Sequence, residues 1–201
     1  MKTLGQVSRE LVEKYGIQVD LFDGGSMNNL VIVAHADDEI LNMGGTLHQW
    51  KDEYWKIVCV TDDIEHGRNP QFKQVCKMLK ADGVILGYEM GRTTRWDNRK
   101  VAKDLSLILS ERTWDRVFTH NEEGEYGNAQ HKQLHQIVKA KKLPNLYLFG
   151  AGIEDVNFRV QIKYWNKKFK TKAAKTYTKK TKAIMAYDFF GVDCETFRRE
   201  D

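Results

Sequence analysis

Leu30-Val31-Ile32-Val33-Ala34-His35-Ala36-Asp37-Asp38-Glu39 is the stretch around which the chain is arranged. Its first five residues form an unbroken apolar run, which suits a strand buried on both faces of a parallel sheet. A helical pattern follows at once, with Ile40, Met43, Leu47 and Trp50 on one stripe. The histidine and the three carboxylates therefore fall at the carboxyl end of a strand, where open α/β sheets gather their ligands. One His and two adjacent Asp offer a borderline metal its nitrogen and oxygen donors and leave a carboxylate free as a base. The same residues also read as an ordinary helix start, with Asp37 or Asp38 as cap and Glu39 complementing the dipole.

Outward from this stretch the pattern repeats. Residues 55–61 read as a second strand ending in Asp62-Asp63, and Asn69 reads as the cap of a helix with Pro70 at its first position. Gly83-Val84-Ile85-Leu86 gives a short third strand, and Asp97 caps a helix whose inner face is Val101, Leu105, Ile108 and Leu109. Residues 114–119 make another strand, 129–141 a helix with Leu134, Ile137 and Val138 inward, and 145–149 a further strand. Strands alternating with helices predict right-handed crossovers and a Rossmann-like, doubly wound α/β fold with a mainly parallel sheet. No GxGxxG turn follows the first strand, which argues against a dinucleotide. A short amphipathic helix over 7–15, closed by Gly16, reads as an accessory to the core over about 1–27.

Length and composition fit one globular domain: 201 residues, of which 41% are hydrophobic and 30% charged. No apolar run reaches membrane-spanning length, and the N-terminus lacks the apolar core of a signal peptide. The three scattered cysteines predict reduced thiols and a cytoplasmic protein. The net charge of +4 is uneven: residues 156–187 carry ten Lys and Arg and no Asp or Glu, leaving 22 basic against 28 acidic residues elsewhere. Such a basic region suits an anionic partner (nucleic acid, glycan or phospholipid) or is a solvated Lys-rich face; no nucleic-acid motif accompanies it, which favours the second.

A metal beside His35 needs a third protein ligand and an open position. The loop Thr119-His120-Asn121-Glu122-Glu123-Gly124-Glu125-Tyr126-Gly127-Asn128-Ala129-Gln130-His131 supplies candidates, if strands 30–34 and 115–119 are neighbours where the strand order reverses. His131 opens the next helix; His135, four residues on, has chelating spacing but lies farther from the loop. His48 is isolated and has a bland role, and His66 is left open.

The residues Ala34-His35-Ala36-Asp37-Asp38-Glu39 resemble the signature of the LmbE-like, or PIG-L-type, N-deacetylases, zinc-dependent amidases of N-acetylated sugars. The family usually has proline at the place of Ala36. The loop ending in His131 resembles its second motif, commonly Gly-His-Pro-Asp-His. Thr61, Arg68 and Gly83-Val84 fit a looser pattern between them, and Lys182–Tyr187 resembles the family's last helix. The resemblance implies zinc, or another divalent metal, held by His35, Asp38 and His131, with Asp37 as the general base. It implies that Tyr126 contacts the substrate or polarises its carbonyl and that Arg68 grips substrate oxygens. Asn128 stands where relatives have a histidine that stabilises the oxyanion; an Asn still donates a hydrogen bond but carries no proton. Gln130 stands where they often have an Asp that tunes the ligand histidine. His120 or Tyr126 then shares the electrophilic work, and His120 becomes a substrate-binding candidate. The expected activity is hydrolysis of an N-acetyl or other short N-acyl group from an amino-sugar conjugate. The alternatives are a metal-containing module, inactive or weakly active, that binds an anionic polymer through 156–187, and hydrolysis of a different amide.

Overall fold

A computed structural model describes residues 27–62, 68–91, 94–178 and 194–200. The expected helix over 7–15, the last helix at 182–187 and His66 lie outside the described residues. In chain order the elements are β1 (Asn28–Val33), α1 (Asp38–Gln49), β2 (Tyr54–Asp62), α2 (Arg68–Leu79), β3 (Asp82–Glu89), α3 (Asn98–Leu109) and β4 (Arg116–Thr119). There follow a single turn α4 (Gly124–Gly127), α5 (Ala129–Lys139), β5 (Leu146–Phe149), β6 (Phe158–Gln161), α6 (Tyr164–Thr178) and β7 (Cys194–Arg199).

The strands form one seven-stranded sheet in the order β3-β2-β1-β4-β5-β7-β6. The first five are parallel, and β7 pairs antiparallel with both β5 and β6. The Rossmann-like, doubly wound, mainly parallel sheet expected from the sequence is what the chain forms. β1 lies between β2 and β4, with Leu30 opposite Val117 and Val31 opposite Phe118. The strand order reverses here, so the loops after β1 and β4 open into one crevice.

Alternate β1 residues point to opposite faces, and each face has its own core. Val31 and Val33 join Ile40, Met43 and Leu47 of α1, Phe72, Val75 and Leu79 of α2, and Ala173 and Tyr177 of α6. Leu30 and Ile32 join Val101 and Leu105 of α3 and Leu134, Ile137 and Val138 of α5. Among the described residues no helix is long and apolar enough to cross a membrane.

Two boundaries differ from the sequence reading. β3 runs for eight residues rather than four, because as an edge strand it is only half-buried and its polar ends belong to it. α2 is described from Arg68 onward, which puts Asn69 within the helix, where its side-chain amide donates to Asp62. Pro70 is tolerated there because the first-turn N–H groups have no helical partner.

The described part of the basic segment, residues 156–178, is built into the fold. β6 and β7 extend the sheet, and α6 packs on α1. α1 breaks its helical geometry at Met43 (φ −146°, ψ 22°), and the N–H groups of Gly45 and Thr46, freed by the break, donate to Glu195 of β7 at 2.8 and 2.7 Å. Lys170 pairs with the same carboxylate at 2.8 Å, and both side chains are buried. Lys170 is therefore a core residue, while Lys168 and Lys172 are exposed.

Candidate metal centre

β1 ends two residues before His35, and the chain turns at once into α1. The His35 N–H donates to Asp38 Oδ2 at 2.8 Å, which fixes the first motif as a closed turn. Asp37 holds φ at 129°, a conformation costly for a side chain with a Cβ, of order 1–3 kcal/mol. It occupies the cap position of α1, yet its side chain makes no capping bond. Instead its Oδ2 accepts from Arg68 Nη1 at 3.0 Å. An ordinary helix start would not place the side chain so.

The second motif follows β4. Asn128 caps α5, its Oδ1 accepting from the N–H groups of Gln130 and His131 at 2.9 and 3.3 Å, and this sets His131 at the first turn of a buried helix. Three donor atoms then converge. His35 Nδ1 lies 3.0 Å from His131 Nε2, and Asp38 Oδ2 lies 3.3 and 3.2 Å from those two nitrogens. Tetrahedral ligands about 2.0–2.2 Å from a zinc ion stand roughly 3.3 Å apart.

The outer partners decide what these atoms carry. Gln130 turns its Oε1 to His35 Nε2 at 2.9 Å and its own amide donates to the Glu89 carbonyl at 3.1 Å, so His35 Nε2 bears the proton. Glu125 Oε2 accepts from His131 Nδ1. Both imidazoles therefore aim a bare lone pair at a carboxylate oxygen and at each other. Three lone pairs at such spacing repel unless a cation lies between them, so the residues fit a divalent metal with the nitrogen and oxygen donors zinc accepts.

Residues 30–141 match the family described as GlcNAc-PI de-N-acetylase, PIG-L. The chain belongs to this family. A relative from Acanthamoeba polyphaga mimivirus, "Uncharacterized protein L374", is 27% identical over 147 residues, which cover 65% of this chain and 64% of the relative, just under two thirds of its length. Among solved structures, N,N'-diacetylchitobiose deacetylase from Pyrococcus horikoshii superposes with a TM-score of 0.68 at 20% identity, over 100% of this chain and 94% of its own. The zinc-inhibited form of teicoplanin deacetylase Orf2 gives 0.64 at 13% identity, over 87% of this chain and 99% of its own. These likenesses bear out the fold. In this PIG-L chain the two family motifs meet across β1 and β4.

The adjacent aspartates are held in opposite states. Burial pushes Asp38 up, but His131, with His120 and His35, outweighs it when the nitrogens facing the carboxyl carry protons, and a cation among the donors would act in the same sense. Burial and the neighbouring Asp38 charge push Asp37 up to about 7, against the pull of Arg68. One carboxyl is thus pushed toward its charged form and the other toward its neutral form.

A cleft of about 560 Å³ opens beside the centre, lined by His35, Arg68, Gly91 and residues 126–130. Tyr126 is 59% exposed at its mouth, with its hydroxyl 3.4 Å from Asn128 Nδ2. His120 takes a different place from the one expected. It is fully buried and stacked 3.8 Å from the His131 ring, with the Ala34 N–H on Nε2 at 3.0 Å and Glu125 on Nδ1 at 2.8 Å. It is not among the residues lining the cleft. Burial lowers and the Glu125 and Asp38 carboxylates raise its proton affinity, the rise prevailing; the Ala34 N–H nevertheless keeps Nε2 an acceptor and puts the one proton on Nδ1. His135 faces the His120 carbonyl at 3.0 Å, and His48 bonds Asn166 at 2.7 Å and stacks on Phe169.

Two residues carry more than the sequence suggested. Gln130 sets the tautomer of His35, and Glu125 binds two histidines while these hold it down near 2 against the push of burial. A buried ligand histidine requires a partner on its second nitrogen, a signal that pointed to some acceptor in this loop without saying which.

Proposed function

We propose that this chain is a metal-dependent hydrolase that removes an N-acetyl, or other short N-acyl, group from an amino-sugar-containing conjugate. The observation that carries this is the convergence of three lone-pair donors beside a fourth group, Asp37, that stands outside them and is held by Arg68, a residue lining the cleft. A divalent cation, zinc by donor type, held by His35, Asp38 and His131, supplies Lewis acidity and acidifies a water at the centre.

The chain's own residues supply the rest. Asp37 takes the proton of the attacking water and hands it to the departing amine, so one carboxyl serves both halves of the reaction. Arg68 aims Asp37 and favours its ionised form through the 3.0 Å contact, and as part of the cleft lining it is also the group that would grip substrate oxygens. Tyr126 and Asn128 present a hydroxyl and an amide at the mouth of the cleft, placed to meet charge developing on the carbonyl oxygen. Family membership and the deacetylases among its structural neighbours favour an N-acetylglucosamine unit in the cleft.

Acetate and primary-amine release from N-acetylglucosamine, its β-1,4 disaccharide, glycosides of it on phosphatidylinositol, and N-acetyl peptides tests this reading. Release from at least one amino-sugar substrate is expected; release from none would overturn it.

Asn128 has two separable jobs. Asn128→Ala loses the cap as well as the amide donor, so it loses about 1 kcal/mol of stability and roughly 10²–10³ in kcat. Asn128→Asp keeps an accepting oxygen on the helix N-terminus, so it melts like the parent while kcat still falls. Denaturant melts and steady-state rates separate the two. A parental kcat in Asn128→Asp would leave Asn128 as a cap alone.

A further inference from the structure

The acceptor expected to tune the ligand histidine stands at position 130 as a glutamine, and it serves His35 instead. The acceptor on His131 comes from a residue with no evident reason to be in the site. Glu125 lies in α4, between Gly124 and Tyr126, with φ 58° and ψ −61°. A non-glycine residue adopts that conformation only when its surroundings impose it, at a cost of order 1–3 kcal/mol.

The surroundings do impose it. The Glu125 N–H donates to Asn121 Oδ1 at 3.2 Å, and the Asn121 amide is pinned by the carbonyls of Phe149 and Ala151, each at 2.7 Å. The Glu125 carbonyl runs against Gly152, where a Cβ would stand 2.0 Å from the oxygen; only glycine, there at φ 80°, leaves room. Loop, β5 end and glycine together hold one strained residue in place.

What the strain delivers is a single oxygen. Glu125 Oε2 accepts from Nδ1 of His131 and from Nδ1 of His120, whose rings stack 25° from parallel, while Oε1 accepts the Asn121 N–H at 3.1 Å. The first bond leaves His131 Nε2 bare toward the centre. The second leaves His120 Nε2 bare toward the Ala34 N–H, the last backbone donor before His35. Both halves of the donor triad therefore hang on this carboxylate, one directly and one through His120 and the end of β1.

We infer that Glu125 is the positioning residue of the centre: its one carboxylate fixes the tautomer and aim of His131 and, through His120, the strand end that carries His35 and Asp38. This rests on the metal reading of the site. The cluster of His120, Glu125 and His131 has the spacing of a second metal site, but its Glu125–histidine hydrogen bonds already occupy the atoms that would bind. A carboxamide cannot replace the carboxylate, since either orientation sets its NH2 against an N–H donor of Asn121 or of the histidines.

Zinc affinity measured by chelator competition on the full chain, with zinc counted per chain, tests the inference beside urea melts of the metal-free proteins. The parent is expected to bind one zinc. Glu125→Gln and Glu125→Ala should bind it 10–100-fold more weakly, the usual loss for an outer partner of a ligand, and Glu125→Asp should recover part of that. Imidazole ¹⁵N spectra of the parent protein, recorded at a pH high enough that both rings are neutral, need no variant to fold: His120 and His131 should both appear as Nδ1–H tautomers without metal. Parental zinc affinity in Glu125→Gln, or an Nε2–H tautomer at either histidine, overturns the inference. Two zinc ions per chain, one of them lost in Glu125→Ala, would overturn it too and make the cluster a second metal site. A parent that binds no divalent metal would bring down the metal reading itself, before any variant is made, and this inference with it.

Discussion

Asp37→Ala is expected to bind zinc as the parent does and to lose roughly 10²–10⁴ in kcat, the ordinary worth of a general acid–base group. The geometry separates Asp37 from the donor set: its Oδ2 faces Arg68 at 3.0 Å, whereas the three converging atoms belong to His35, Asp38 and His131. Alanine at this position also loses the burden of a buried carboxyl, so stability need not fall with activity. The pH profile carries the same signature. Burial and the charge on Asp38 push Asp37 up to about 7 in the metal-free chain, and a cation bound beside it pulls that value down. A base works only when ionised, so kcat/KM rises with pH along an acidic limb ending below about 7 and is flat above it. In Asp37→Ala that limb disappears, and excess zinc restores neither the limb nor the rate. Loss of bound zinc in this variant would mean that the base and the ligand are exchanged.

Asp38→Ala has the larger effect on the metal. Asp38 Oδ2 lies within 3.4 Å of a nitrogen of each of His35, His131 and His120, and it also ties down the His35 N–H at 2.8 Å. Removing it takes away the only anion among the three donors and frees the turn that aims His35. Zinc affinity therefore drops by more than the 10–100-fold lost with an outer partner, and activity disappears at stoichiometric zinc. Excess zinc recovers part of the activity, because Asp37 and both histidines remain. Zinc content and kcat, measured for both aspartate variants over a zinc titration, distinguish a lost base from a lost ligand. An Asp38→Ala protein that holds zinc like the parent would contradict the assignment.

The elements that frame the site were legible because their physics is local. β1 is an apolar run closed by a charged turn, α3 shows its Asp97 cap and a three-residue stripe, and α5 follows Asn128 with Leu134, Ile137 and Val138 on one face. The pairing of β1 with β4, on which the convergence of the two motifs depends, was only a condition in the sequence, because alternating strands and helices fix the hand of the crossovers and not the strand order. The β6–α6–β7 segment was not legible. Its strands are short, the buried face of α6 mixes the small Ala173 and Ala174 with Tyr177 and Asn166, and a lysine stands at a core position. Lys170 looks like one more solvated charge until Glu195, distant in sequence, is seen beside it. Neutralising Lys170 together with the surface lysines would therefore test the fold and not the surface.

In the site, residue types were readable and directions were not. His35, Asp37, Asp38 and His131 stand out by identity and spacing, but His120 carries the same identity and lies buried behind the centre, outside the cleft lining. Glu125 is one of three glutamates in its loop, and what sets it apart is a backbone angle that no pattern of side chains announces. Asn128 looked like a weakened histidine, and its cap on α5 becomes visible only with the helix in place.

The most direct measurement of the central claim is a zinc titration of metal-stripped protein, with amine release from an N-acetylglucosamine conjugate followed alongside bound zinc. The account predicts no hydrolysis without metal and activity rising linearly to a break at one equivalent per chain. Hydrolysis at full rate in the stripped protein, or a break at a different stoichiometry, would contradict it.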